Sequence, residues 1–401
     1  MLALFNASGS LTPVPELSSS PASAKISEQI EVDAVHLFFL FDHLFMKSAR
    51  AVSRNYLKRV ADPASTLHAA YLQWKKGQMS RAELVQRLPH VALIGDSLSK
   101  NAYVSSIPST FWRARTERQR DWFLDTDPSP TSVLSVFERL EPLTPLVATE
   151  YSGVGALVDS GEAKESFFRA LVRTRNFSGQ VSQVLRGPRY PDLILLWIGH
   201  NNLDWAGALP VSEREHPERH LRESAARFRD DYARQIRRLI SGAQGQDHKV
   251  AIVVFGLVNF DAFFKARETA EALRARNPKL YPYLEVDYQH YLSMKPAYRG
   301  NMIRLALMIN EELQSMVNEL NHEPGLSPTV QLRYSNALAK VDISRVELIH
   351  AMDAWHPSVS GHTLLAEAAF SALPPSLRFL NIEADNAGSA RSQLVQQSLR
   401  P

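Results

Sequence analysis

The stretch His90-Val91-Ala92-Leu93-Ile94-Gly95-Asp96-Ser97-Leu98-Ser99 sets the expectation for the fold. A short apolar run, Val91 to Ile94, is cut by a glycine and followed at once by an acid and a serine, the pattern of a buried strand that ends in a sharp turn. Ser97 is thereby left at the carboxyl end of a strand, the edge of an open α/β sheet at which loops converge and ligands bind. Taken alone, Asp96-Ser97 fits a polar turn capping a helix equally well, so its meaning depends on the rest of the chain.

The same pattern returns downstream. Leu143 to Thr149 runs into Glu150-Tyr151-Ser152-Gly153-Val154-Gly155-Ala156, and Leu193 to Ile198 runs into Gly199-His200-Asn201-Asn202. Val250 to Val258 reads as a fourth buried strand, and Val330 to Ile343 contains a fifth. Between them lie helical periods over 162–175, 217–240, 301–320 and 363–370. Strand alternating with helix predicts an α/β fold: a flavodoxin-like three-layer sandwich with a five-stranded parallel sheet in the order 2-1-3-4-5, helices on both faces, and an N-terminal helical extension.

Residues 1–28 are rich in Ser, Pro and Ala without an apolar period and read as a disordered leader. Residues 29–88 read as a helical extension packed on the core, with a long helix over 30–60, a shorter one over 64–77, and one over 80–88 opened by a Ser80/Glu83 capping box. The main domain spans 89–383, with an aromatic insertion over about 101–140 and an irregular, tyrosine-rich insertion over 259–299 that has the look of a lid; 384–401 is a flexible tail. The apolar run Leu37-Phe38-Phe39-Leu40-Phe41 packs on the core or offers a peripheral membrane contact.

Charge and composition narrow the function classes. The 45 Lys+Arg against 42 Asp+Glu leave a net charge of only +3, a poor case for nucleic acid. The absence of cysteine excludes disulfides, thiolate metal sites and a cysteine nucleophile. With no basic-apolar secretory signal and no apolar run near the ~20 residues of a membrane span, the expected location is the cytoplasm. The leader keeps a secreted bacterial effector as the alternative.

The second decisive stretch is Ile349-His350-Ala351-Met352-Asp353-Ala354-Trp355-His356-Pro357-Ser358-Val359-Ser360-Gly361-His362. An aspartate three residues before a histidine, in a loop ahead of a helix, can hold one ring nitrogen and leave the other to take a proton from a serine. The pair also fits a capping aspartate beside a surface histidine.

With both stretches in place, the sequence resembles the SGNH, or GDSL-type, hydrolases. The blocks are Gly95-Asp96-Ser97-Leu98-Ser99, the glycine of Tyr151-Ser152-Gly153-Val154-Gly155-Ala156, Gly199-His200-Asn201, and Asp353-Ala354-Trp355-His356-Pro357, all in family order. The resemblance covers about Pro89 to Leu373 and leaves the first 88 residues outside it. It implies Ser97 as nucleophile, His356 as general base and Asp353 as its orienting partner. It further implies an oxyanion hole from the Ser97 amide, the Gly155 amide and the Asn201 side chain, with Gly153 the competitor for the glycine. Asn202 stands where the family commonly has an acid. His200 reads as a loop residue and His362 as a packing or capping residue of the last helix. Trp205 and Trp355 flank the site as core residues or as the lining of a substrate pocket. Neither a metal nor any other cofactor is implied.

The implied activity is cleavage of carboxylic esters through an acyl-serine intermediate. Aromatic insertions and the apolar N-terminal helix tilt the substrate towards a lipid or phospholipid acyl ester, with a carbohydrate O-acetylesterase or an acyltransferase at the same site as alternatives. A non-catalytic binding or effector module on a hydrolase fold is the alternative from another class.

Overall fold

The central strands form where the sequence concentrates its uninterrupted apolar runs. The computed structural model describes residues 49–99, 121–125, 133–153, 155–159, 176–281, 284, 292–351 and 353–382. In these residues β1 (Ala49–Val52), β2 (His90–Gly95), β3 (Val147–Glu150), β4 (Leu193–Trp197), β5 (Val250–Phe255) and β6 (Val330–Ser335) make a six-stranded sheet in the order β1-β3-β2-β4-β5-β6. From β3 to β6 all neighbours are parallel, whereas β1 is antiparallel to β3, pairing Ala49 with Glu150 and Val52 with Val147. Every residue of β4 and β5 is buried, which requires cover on both faces and explains their lack of polar alternation.

The helices are α1 (Tyr56–Val60), α2 (His68–Lys75), α3 (Arg81–Gln86), α4 (Val136–Leu140), α5 (Phe177–Leu185), α6 (Glu218–Gln244), α7 (Phe260–Arg276), α8 (Arg299–His322), α9 (Val359–Ser371) and α10 (Pro374–Phe379). The longest, α6, buries Leu221, Ala225, Phe228, Tyr232, Ile236 and Leu239, one stripe at helical spacing. Several of its arginines pair with acids, among them Arg229 with Glu312 and Arg237 with Glu323. Ser80 and Glu83 form the reciprocal capping box that opens α3. No helix among the described residues is long and apolar enough to cross a membrane.

A carboxylate aligns the amino ends of the central strands. Asp192 Oδ2 accepts from the His90 amide at 2.7 Å, its own amide donates to His90 O at 2.8 Å, and its carbonyl accepts from Ala251 N at 2.8 Å. Arg189 holds the same carboxylate with one guanidinium nitrogen 2.9 Å from each oxygen. Three strands are thus set in register before their carboxyl ends reach the candidate site.

Several expectations are corrected. The sheet has six strands and is mixed, not five-stranded and wholly parallel. The added strand, Ala49–Val52, sits inside the stretch read as one helix over 30–60; its helix-like spacing is overridden by pairing with β3, and Ser53 fixes the register through its amide to Leu146 O at 3.0 Å. Residues 30–48 of that helix, the leader, the tail, the helix over 162–175 and the segments 101–120 and 126–132 lie outside the described residues. Helix α5 begins at Phe177, just beyond the helix expected over 162–175. The irregular insertion read over 259–299 begins as a regular helix, α7: Asn259 caps it by accepting from Ala262 N at 3.2 Å, and Phe260, Phe263, Phe264, Arg267 and Ala270 bury one face. Trp122 and Phe123, within the stretch read as an aromatic insertion over about 101–140, are fully buried, Trp122 standing edge-on to Trp197 at 5.6 Å.

Gly199 ends β4 at φ +130, and a Cβ there would lie 2.6 Å from the Phe228 ring. Gly199→Ala is expected to lower the unfolding free energy by about 1–3 kcal/mol, from strain plus overpacking, with an unchanged denaturant slope. Urea unfolding checks this; a stability equal to that of the parent chain would refute the account of this turn.

Candidate active site

The carboxyl end of β2 turns because nothing larger than glycine fits there. A Cβ on Gly95 would lie 2.5 Å from Ser99 Oγ and 2.9 Å from Ser152 Oγ. Gln180 on α5 holds this glycine at both polar atoms, accepting from its amide at 2.9 Å and donating to its carbonyl at 2.8 Å. Asp96 follows, fully buried. Its Oδ1 accepts from Leu98 N at 3.1 Å; its Oδ2 accepts from Gly199 N and His200 N at 3.1 Å each, and meets His200 Nδ1 at 2.7 Å. Val258 N donates to His200 Nε2 at 3.3 Å, so Nε2 is the acceptor and Nδ1 carries the proton given to Asp96. One acid and one histidine therefore tie together the segments leaving β2, β4 and β5. Ser97 opens the single 3₁₀ turn Ser97–Ser99 directly after this anchor.

The loop after β3 is held against the loop after β4. Gly153 N donates to Gly95 O at 3.1 Å, so that amide is committed to the turn, while Gly155 is exposed at φ +68. Asn201 Nδ2 donates to Ala156 O at 2.9 Å. Asn202 brackets the next residue but one, accepting from Val158 N at 2.9 Å and donating to Val158 O at 2.7 Å. Asn202 therefore works as a neutral loop brace that reads both polar groups of one peptide residue, where an acid would only accept.

The third segment is a tight loop closed at its base. Ile349 and Pro357 form an antiparallel bridge, His350 N donates to His356 O at 2.7 Å, and Ser358 N donates to Leu348 O at 2.9 Å. Inside it, Asp353 is fully buried. Its Oδ1 accepts from Trp355 N at 3.0 Å and His356 N at 3.2 Å, which turns Oδ2 to within 2.5 Å of His356 Nδ1. Burial alone would push the Asp353 carboxyl up; the His356 ring outweighs it through charge and hydrogen bond, aided by His350 and the Trp355 amide, and holds the group down at about 2. Burial keeps His350 below its ordinary value and takes His362 to about 3, with His356 adding repulsion in both cases. His362 is a buried acceptor for Trp122 N at 3.3 Å through Nδ1.

Leu98, next to Ser97, lines one apolar cavity together with Trp355 and Pro357, which flank His356; Trp197, Val258 and Phe263 complete much of its wall. The serine turn and the histidine loop thus meet at one place on the carboxyl edge of the sheet. Trp355 stacks edge-on to Phe263 at 4.9 Å. Trp205 instead packs edge-on to Tyr298 at 5.8 Å, while the next residue, Ala206, donates its amide to Ser293 Oγ at 3.0 Å; Trp205 is not among the residues lining that cavity. The roles of Asp96 and His200 as partners were missed in the sequence. The only available signal was position, since each stands beside a residue singled out for chemistry.

No family model matches the chain, and no curated protein matches it in sequence. Among solved structures, the lipase Lip_vut3 from a goat rumen metagenome is similar over 71% of this chain and 97% of that one, at 15% identity and a TM-score of 0.36.

Two outcomes follow from the buried polar groups. Asp96→Asn keeps the shape but puts an N–H where Oδ2 or Oδ1 must accept, and is expected to lower the unfolding free energy by about 2–5 kcal/mol; a loss below 1 kcal/mol in urea unfolding would mean the anchor is dispensable. His90, His350 and His362 titrate below their ordinary value of 6.5, His90 at about 4 through burial and the charges of Arg50 and Arg189. The unfolded chain therefore binds more protons below that value, so stability rises with pH in that range and is lost on acidification. The melting temperature is expected to fall steadily from neutrality to about pH 5, with a shallower fall in His362→Gln; a flat profile would contradict the neutral, buried state of these rings.

Proposed function

We propose that the chain is a carboxylic ester hydrolase of the SGNH, GDSL-type kind, working through an acyl-serine intermediate. The observation that carries this reading is the buried Asp353–His356 pair, 2.5 Å between Oδ2 and Nδ1, in a loop whose residues share one cavity with the neighbour of Ser97. An aspartate bound to Nδ1 fixes the tautomer in which Nε2 accepts a proton, as a general base requires. The Asp353 carboxyl, held at about 2, stays anionic at every working pH and stabilises the imidazolium that forms.

In this mechanism His356 Nε2 takes the proton of Ser97 as Oγ attacks the ester carbonyl carbon. The carbonyl oxygen becomes an oxyanion, received by the amides of Ser97 and Gly155 and by the Asn201 side chain. Gly155 is chosen over Gly153 because the Gly153 amide already donates to Gly95 O at 3.1 Å. The Asn201 side chain is an amide donor of the kind an oxyanion needs. Collapse expels the alcohol, which takes the proton back from His356; water then repeats the sequence on the acyl-serine and releases the acid. Trp122 and Phe123 are core residues, so they lend no weight to a lipid substrate, and the proposal is made at the level of a carboxylic ester.

Labelling with a fluorophosphonate tests the reading. The folded chain is expected to be labelled, and Ser97→Ala to lose both labelling and ester hydrolysis while keeping its melting temperature; folded protein that takes no label would favour a non-catalytic binding module. Asn201→Ala is expected to lower kcat by about 10²–10³ with little change in KM, because the amide is used in the transition state. A change confined to KM would make Asn201 a substrate contact instead.

A further inference from the structure

Arg267 lies in the middle of α7 and is fully buried, a costly place for a cation unless its donors are matched. Its Nε is 3.4 Å from Glu271 Oε1 one turn along the helix, and Glu271 is shared with Arg299 Nη2 at 2.6 Å. The other two nitrogens leave the helix: Nη2 donates to Leu284 O at 3.0 Å and Nη1 to Ala354 O at 3.2 Å. Ala354 is the second residue of Asp353-Ala354-Trp355-His356, and it stands at φ +52, in the left-handed region that a residue with a Cβ enters at a cost. Its amide donates to His350 O at 3.0 Å, so this unfavourable residue is gripped at both ends, by His350 at the amide and by Arg267 at the carbonyl.

The conformation of Ala354 decides where the next two amides point. Both Trp355 N and His356 N donate to Asp353 Oδ1, at 3.0 and 3.2 Å, and it is this pair that aims Oδ2 at His356 Nδ1. The same helix grips the loop a second time through Phe260 and Phe263 on the Trp355 ring. We propose that Arg267 is a positioning residue for His356: its bond to Ala354 O holds the left-handed turn in which the Asp353 carboxylate and the His356 imidazole meet. The inference rests on the reading of that pair as orienting acid and general base. A planar guanidinium suits the task because it serves two carbonyls on diverging paths while its third nitrogen faces Glu271; an ammonium offers one point of attachment.

The test combines Arg267→Lys with Ala354→Gly, because glycine takes a positive φ without steric cost and needs less holding. Arg267→Lys is expected to lower kcat on the order of tenfold to a hundredfold, the scale of a slight misplacement of a reacting group, with KM nearly unchanged. It should also weaken the far-downfield proton resonance of the His356–Asp353 hydrogen bond, read by NMR without substrate. Adding Ala354→Gly should restore part of both. Glu271→Gln, which loosens the guanidinium without removing it, is the second variant, expected to give a smaller loss of the same kind if Arg267→Lys fails to fold. Wild-type kcat and resonance in folded Arg267→Lys would overturn the proposal; so would a loss that Ala354→Gly leaves untouched, since Arg267 would then merely brace α7 and Leu284. If the parent chain shows the resonance but neither hydrolyses esters nor takes a fluorophosphonate, the hydrolase reading fails, and the resonance in the variants still decides the role of Arg267.

Discussion

The structure depends on one buried carboxylate at the carboxyl edge of the sheet. Asp96 accepts hydrogen bonds from the Leu98, Gly199 and His200 amides and from the His200 ring, and His200 passes the connection on to Val258. A buried carboxylate is tolerable only when its lone pairs are filled, and here the groups that fill them come from the turns after β2 and β4, with His200 in turn held from the turn after β5. Satisfying one side chain thus fixes the mutual positions of those turns. Ser97 follows Asp96 and Asn201 follows His200 in the chain, so the same bonds fix the serine turn and the asparagine relative to one another.

The opposite ends of the strands are held by a comparable device, Asp192 with Arg189. With β2, β4 and β5 pinned at both ends, the sheet acts as a rigid base, and the segments it carries are oriented by short polar contacts. The loop after β3 is hung from Asn201 and Asn202, and the Asp353–His356 loop from its own closing bridge and from α7. Rigid strands below and locally satisfied loops above are the arrangement a preorganised site needs, because little remains to be reorganised when charge develops.

The discrepancies between sequence reading and structure have a common cause. Ala49 to Val52 has apolar spacing that suits a helix, and only the presence of an open edge on β3 makes it a strand. The segment after Val258 is rich in aromatics, and its tyrosines drew it towards a lid; Asn259 as a cap and the burial of Phe260, Phe263 and Phe264 make its first half a core helix. Trp122 and Phe123 carry no mark in the sequence that distinguishes a core aromatic from a pocket aromatic, and they meet Trp197 and Phe255 from distant strands. In each case the deciding partner is far away along the chain.

The sequence by itself determined β2, β4 and β5, since their apolar runs are local and bounded by glycine or polar residues, and it marked Ser97, Asn201, Asp353 and His356 as the residues to examine. Spacing of three between Asp353 and His356 allowed their contact, and the resemblance implied it, because a carboxylate and an imidazole so close in a turn can reach one another. What only the tertiary structure decided is what those residues rest on: His200 as the partner of Asp96, Asn202 as the brace of Val158, and Arg267 as the donor to Ala354 O. These contacts join residues 104, 44 and 87 positions apart. A hydrogen bond over such separations leaves no local period or composition to read, and it exists only once the sheet has brought its two ends together.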